Sequence, residues 1–378
     1  MLPVIETNQI VKRPVVYLPH HGVIKETSAD NAEDAILLQE QLTAMLKSGG
    51  FQAHKWCSNC SEVLKKISPH LREDISNLSI GSNDTIKTLG IKWRPKDDQF
   101  QFFVHGMEAA KTKCEILSAI SKLFDPLGLI GPVITTAKII MQTTWRTECR
   151  WDESLPANIV EKWEQFQKDL STAETVLIPR RIIPSEAITS IYLQGLCDAS
   201  ENAYGACLYV QTKDERGVLK SRLLCSKSLA PIKPTSIPRL ELCSAVLLAH
   251  LITEVRRNLN VNIDGIQAWT DSQVVLWWIR SDAARWKPFV AHRVAEIVEL
   301  LPAKHWNHVK GTENPADIIS RGTTLRQLKN SRLWWSGPHW LQEEALSDSG
   351  NIEIVELTNE MSEKIQIEER KNARICAI

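Results

Sequence analysis

Ile191-Tyr192-Leu193-Gln194-Gly195-Leu196-Cys197-Asp198-Ala199-Ser200 is the stretch from which the rest of the chain can be read. It is a largely apolar run of strand length that ends on an acid. Most acids are solvated surface groups, so a carboxylate closing an apolar strand stands apart. Three others occupy comparable settings. Glu241 lies early in the apolar helical stretch 238–248, and Asp271 closes a second strand, Gly265-Ile266-Gln267-Ala268-Trp269-Thr270. Asp317 sits in Asn314-Pro315-Ala316-Asp317, which reads as a helix start. Strand, helix, strand and helix each deliver one acid near a terminus, an arrangement able to hold two divalent cations against a phosphodiester. The chain contains 45 acidic residues, so position rather than number singles these four out.

Working outward, strands are expected near 191–198, 203–211 and 219–228, a helix near 238–258 and a strand near 264–270. Helices near 272–280 and 288–300, a strand near 303–309 and a last helix near 314–320 complete the domain. Three antiparallel strands followed by strand–helix alternation predict an α/β domain (α+β over the whole chain) with a mixed sheet and flanking helices. Upstream, 32–47 has helical periodicity and stops at Gly49-Gly50. Segments 88–93 and 99–104 read as a hairpin around a polar turn. Residues 118–149 read as helical with a break at Asp125-Pro126, because the residue before proline leaves the α region. A further amphipathic helix is expected within 153–170, with Trp163 and Phe166 on one face. The proline-bearing stretch 179–190 marks the domain boundary, and the polar sequence after Leu341 reads as a linker.

Several motifs resemble those of Bel/Pao-type long-terminal-repeat retrotransposon polyproteins. Cys197-Asp198-Ala199-Ser200 with Tyr204-Gly205-Ala206, Pro238-Arg239-Leu240-Glu241-Leu242, Trp269-Thr270-Asp271-Ser272 and the run from His308 through Asp317 to Ser320-Arg321-Gly322 resemble, in order, the four acid-bearing motifs of their ribonuclease H domain. Cys114-Glu115-Ile116-Leu117-Ser118 through Leu123-Phe124-Asp125-Pro126-Leu127-Gly128-Leu129-Ile130-Gly131-Pro132 resembles the segment between polymerase and ribonuclease H. Gly49-Gly50-Phe51, Lys55-Trp56, Ser58-Asn59 and Leu89-Gly90-Ile91-Lys92-Trp93 resemble the end of a reverse-transcriptase palm, and 17–25 resembles a fingers segment.

The resemblance implies four regions: a truncated reverse-transcriptase remnant of fingers and palm/thumb parts (1–110), a helical Pao-type connection (111–185), a ribonuclease H-like domain (186–330) and a polar linker (331–378). It implies that Asp198, Glu241, Asp271 and Asp317 are both catalytic residues and metal ligands for two Mg²⁺ ions about 4 Å apart, with Mn²⁺ as an alternative. Asp198 would bridge both ions, Glu241 and Asp271 would hold one, and Asp317 would help hold the other. The implied substrate is the RNA strand of an RNA–DNA hybrid, distinguished by its 2′-hydroxyl. Ser200, Arg239, Ser272 and Lys310 are candidate nucleic-acid contacts, although serines after strands commonly serve as turn or cap residues. His308 is a lesser candidate for product release. Trp277, Trp278 and Trp286 fit core packing better than base stacking.

No Tyr-x-Asp-Asp turn occurs. Asp97-Asp98 follows Pro95-Lys96 in a polar turn and is no substitute, so DNA synthesis is not expected and an internal deletion, in the chain or in its gene model, is inferred. Formal net charge is zero, with 45 basic against 45 acidic residues, so nucleic acid would need a local basic face. No run approaches a membrane span, and no secretory segment opens the sequence. Nine cysteines are scattered, and Cys57-Ser58-Asn59-Cys60, with His54 and His70 nearby, has the spacing of only half a zinc site. Ordinary thiols are expected. Two rival functions remain: a catalytically decayed remnant that binds nucleic acid, and an aspartic-type peptidase suggested by Asp348-Ser349-Gly350. The second lacks the apolar strand that buries such an aspartate. Other retroelement Pol products are candidate partners, the expected compartment is cytoplasmic with a nuclear alternative, and oligomeric state is open.

Overall fold

The computed structural model describes residues 32–72, 91–94, 97–102, 109–171, 176–183, 188–259, 261–343 and 359–370. The fingers-like segment 17–25 and the triplet Asp348-Ser349-Gly350 lie outside them. The chain divides into two compact units.

The smaller unit takes in most of the N-terminal region together with 177–181 and 258–261. Helices α1 (Ala32–Ser48) and α2 (Ser61–Lys66) lie within it. Ala35, Trp56, Val63 and Ile67 form a small apolar cluster there. Strands β1 (Ile91–Arg94) and β2 (Gln99–Phe102) pair as the expected hairpin, and a third strand, β3 (Leu177–Pro179), joins β2. Asp98 accepts hydrogen bonds from Trp93 Nε1 (2.9 Å) and Arg180 Nε (2.5 Å). That carboxylate is committed to holding a turn.

The larger unit carries a five-stranded sheet. Its strands are β4 (Ile188–Ala199), β5 (Tyr204–Asp214), β6 (Leu219–Leu229), β7 (Gly265–Thr270) and β8 (Trp306–His308), in the order β6-β5-β4-β7-β8. β4, β5 and β6 pair antiparallel, whereas β7 lies parallel to β4 and β8 parallel to β7. This is the mixed sheet with flanking helices that the sequence predicts. Helix α6 (Ile237–Asn258) follows β6 and precedes β7. It crosses β4 so closely that a Cβ on Gly195 would stand 2.6 Å from Leu248 Cδ1. Glycine therefore occupies a position where the strand pattern alone would favour a β-branched residue. Helices α7 (Gln273–Arg280), α8 (Pro288–Leu300), α9 (Ala316–Arg321), α10 (Leu325–Lys329) and α11 (Arg332–Ser336) follow. Strand β8 is shorter than the expected 303–309 because Ala303–His305 closes into a 3₁₀ turn.

The expected connection region belongs to this same compact unit. It forms α3 (Lys113–Ser121), α4 (Gly131–Trp145) and α5 (Ala157–Leu170). Thr112 and Glu115 make a reciprocal capping box at α3, which begins earlier than the expected 118. The break around Asp125-Pro126 is wider than proline alone requires. Asp125 accepts from the backbone N–H groups of Leu129 (2.9 Å) and Ile130 (2.8 Å), folding the chain into the start of α4. Gly128 adopts φ +67°, and a Cβ there would stand 2.0 Å from the Ser226 carbonyl oxygen on β6. Only glycine permits both the left-handed backbone and that approach. Ser226 N–H donates to the Leu127 carbonyl (2.8 Å), Lys138 Nζ to the Ser228 carbonyl (2.7 Å), and Thr135 Oγ1 to Ser228 Oγ (2.6 Å). α4 is thus stitched to strand β6. On α5, Trp163 and Phe166 are buried and their rings meet at 5.1 Å, as the helical periodicity predicts.

Residues beyond 330 also join this unit. Trp334 and Leu341 are fully buried, and Trp334 Nε1 donates to the Leu129 carbonyl (2.9 Å). Helix α12 (Asn359–Ile367) packs against α7. The stretch read as a polar linker therefore contains packed structure. Its apolar residues Leu333-Trp334-Trp335 and Trp340-Leu341 stand in short runs without a sustained helical or strand period.

Candidate active site

The sheet topology explains why distant acids meet. Parallel neighbours end on the same edge, and the register pairs Cys197 with Thr270. The next residue on each strand is an aspartate, so Asp198 and Asp271 emerge side by side. α6 begins at that edge with Glu241 in its first turns, and α9, packed on β4 and β5, adds Asp317. The C-terminal edge of parallel strands, beside the place where pairing changes direction, is a recurrent location for ligand sites in open sheets.

Asp198 is 4% exposed, and its Oδ2 accepts from Ser320 Oγ at 2.6 Å. Burial, then repulsion from Asp271, pushes its carboxyl well above the ordinary aspartate range. Asp271 is raised as well, chiefly by burial, and the two carboxyls are close enough for a protonated one to donate to the other. Asp271 Oδ1 is buried with no hydrogen-bond partner among the described residues. Glu241 is likewise raised by burial, while Ser272 Oγ donates to its Oε2 at 2.7 Å. Asp317 is more open and pairs with Arg321 Nε at 2.5 Å.

All four expected acids therefore converge, with Asp317 at the rim. The candidate nucleic-acid contacts divide. Ser200 is a turn residue whose hydroxyl donates to the Ser320 carbonyl (2.7 Å). Ser272 caps α7, accepting from Val275 N–H (3.2 Å), and orients Glu241. Both hydroxyls are engaged within the protein. Arg239 is paired with Glu368, whereas Lys310 and His308 are exposed beside the site. Trp278 and Trp286 are fully buried, with centroids 6.4 Å apart, as core packing predicts; Trp277 is 36% exposed.

Two further residues build the site. Ser320 is completely buried against Asp198. Asn314 Nδ2 donates to the Cys197 carbonyl (3.1 Å) while its Oδ1 accepts from Ala316 N–H (3.0 Å), fastening the start of α9 to the end of β4. Both lie inside the motif around Asp317, but their roles depend on contacts more than 100 residues away. Among the described residues, Cys57 and Cys60 are not part of a group of three or more side chains that could hold a metal.

The donor set fits a hard divalent cation: oxygen ligands only, an orphaned carboxylate oxygen, and four acids of which Arg321 pairs with one. Among the described residues, however, no three such side chains stand as a finished cation cage. Asp317 is held by Arg321.

Residues 112–272 match the family model of the Pao retrotransposon-like RNaseH-like domain. That span includes Asp198, Glu241 and Asp271 and ends before Asp317. This segment, less than half of the chain, is thus similar to an RNase H-like class of domain and, within it, to the Pao retrotransposon-like kind. Solved structures are similar as well, among them the following three. RNase H1 from Halobacterium salinarum is 16% identical, with a TM-score of 0.24, covering 34% of this chain and 93% of that one. LC11-RNase H1 in complex with RNA/DNA hybrid is 16% identical, with a TM-score of 0.25 and coverage of 34% and 93%. The foamy viral protease-reverse transcriptase dRH in complex with double-stranded DNA is 10% identical, with a TM-score of 0.39; the match covers 66% of this chain and 41% of that one. No curated protein matches the chain.

Proposed function

We propose that the larger unit is a metal-dependent ribonuclease H that cuts the RNA strand of RNA–DNA hybrids, and that the chain no longer polymerises DNA. The observation that carries this reading is the paired ends of β4 and β7, which force two carboxylates together in a buried place. Such repulsion is costly unless positive charge arrives. Asp198 and Asp271 would hold divalent cations between them, Mg²⁺ or Mn²⁺, with Glu241 and Asp317 completing the set. Bound cations would supply the charge that activates a water molecule and stabilises the leaving oxygen. Ser320 keeps Asp198 in one rotamer, and Ser272 keeps Glu241 aimed at the same point. Lys310, exposed on the loop before α9, would contact a backbone phosphate.

On this reading 1–110 is a polymerase remnant without its paired aspartates, and Asp98 serves only a turn. By analogy with retroelement particles, the proposed compartment is the cytoplasm, with the nucleus as alternative. A second reading, a decayed remnant that binds without cutting, draws on the Asp317–Arg321 pair and the absence of a finished cage among the described residues. Cleavage of a labelled hybrid with Mg²⁺, beside Asp271→Asn and an EDTA control, separates the two. Metal-dependent cutting of the RNA strand alone, lost in the variant, is expected. No cutting by the folded wild type rejects the nuclease.

A further inference from the structure

The C-terminal segment Asn359–Arg370 packs against α7 and pairs with Arg239 and Arg285. Glu368 is 5% exposed, and its two oxygens accept from Arg239 Nε (2.7 Å) and Nη2 (3.1 Å). Glu369 Oε1 accepts from Arg285 Nε at 2.6 Å. The backbone follows: Trp286 bridges Glu369 antiparallel, Lys287 N–H donates to the Glu368 carbonyl (2.8 Å), and Arg370 N–H donates to the Arg285 carbonyl (3.0 Å). Lys287 Nζ donates to the Ile367 carbonyl. Helix α12 packs on α7, whose capping Ser272 donates to Glu241, so the segment lies near the acid cluster. The Arg239 guanidinium rests over Phe289, 4.7 Å from the ring centroid, which fixes its plane.

A forked carboxylate–guanidinium pair uses the same planar, two-oxygen recognition by which arginine binds phosphate. Beyond these hydrogen bonds and its packing on α7, the segment buries little apolar surface. Within Asn359–Arg370 only Ile365 and Glu368 are buried, and Ile367 is 63% exposed. Attachment that leans on partly exposed ion pairs is weak and screened by salt. It is suited to displacement by a denser polyanion.

Building on the proposed nuclease reading, we infer that Asn359–Arg370 is a built-in competitor of the nucleic-acid backbone, with Glu368 and Glu369 standing where phosphates would bind Arg239 and Arg285. The segment lowers affinity for hybrid until the hybrid displaces it.

The test measures binding of a fluorescent RNA–DNA hybrid to the full chain in EDTA, comparing wild type with the Glu368→Gln/Glu369→Gln double variant. A docked competitor reduces apparent affinity by the fraction of open protein. Neutralising both acids should therefore tighten binding by about fivefold at low salt, with the difference shrinking at high salt. Adding Arg239→Ala and Arg285→Ala should remove the gain. In wild type, hybrid binding should also raise amide exchange across 359–367. Equal or weaker binding by the double variant, a gain that survives loss of both arginines, unchanged exchange, or no binding by either protein overturns the inference. Cleavage assays with Mg²⁺ keep the two proposals apart. Tighter binding without cleavage rejects the nuclease but supports the competitor, whereas cleavage with unchanged binding does the reverse.

Discussion

Replacing Asp125 by asparagine should change how stability depends on pH, by an amount the structure allows us to work out. Burial at the start of α4 pushes this carboxyl up to about 6 from an ordinary value of 3.8, against the pull of three backbone N–H groups and Lys138. The folded chain therefore binds the proton more tightly than the unfolded chain does. Stability falls as pH rises from about 4 to 6, and the full cost is present above that window. A difference of 6 − 3.8 at about 1.4 kcal/mol per unit is about 3 kcal/mol, of which roughly 2–2.5 kcal/mol develops between pH 4 and 7. Asparagine cannot ionise, so it escapes this cost. Its amide nitrogen would face one of the N–H donors that the carboxylate now satisfies, at a loss of about 1–2 kcal/mol independent of pH. Asp125→Asn should thus be less stable than wild type at pH 4 and equal or more stable at pH 7. Urea titrations of both proteins at pH 4, 5, 6 and 7 read this directly. The raised acids of the active site contribute with the same sign, but they are common to both proteins and cancel in the difference. A stability difference that stays constant across the four pH values would refute the reasoning.

Three further outcomes are expected. Asp198→Asn removes one of two mutually repelling buried carboxylates, so the metal-free protein should gain about 1–3 kcal/mol in thermal or urea unfolding while losing any stabilisation by Mg²⁺. Ser320→Ala deprives the buried Asp198 of its 2.6 Å donor and should cost about 1–3 kcal/mol in urea unfolding and lower hybrid cleavage, with Ser320→Thr recovering part of both. Gly128→Ala forces a Cβ to within 2.0 Å of the Ser226 carbonyl at φ +67°, and should cost more than about 2 kcal/mol, with amide exchange rising first along α4 and β6.

Much of the larger unit was legible in the order of residues, because strand and helix formation there follow local periodicity. The run ending at Asp198, the helical stretch around Glu241 and the strand ending at Asp271 each announce themselves within a dozen residues. The motif resemblance supplied their grouping. Local pattern says nothing, however, about which strands become neighbours. Parallel pairing of β4 with β7, across an intervening hairpin strand, β6 and α6, is what sets Asp198 beside Asp271. The roles of Ser320 and Asn314 are equally non-local, since each hydrogen-bonds to the end of β4 from more than 100 residues downstream. The same holds for the connection: its helices were visible, but Gly128 and Ser226 must be seen touching before α4 can be joined to the sheet. Residues 359–370 were the least legible. A few apolar residues and alternating charges read as linker, and the contact that orders them is an ion pair with Arg239, whose partner no periodicity encodes. Local chemistry set which elements form and which carry an acid. Long-range pairing and burial set which acids meet, how strongly they repel, and what lies over the arginine next to them.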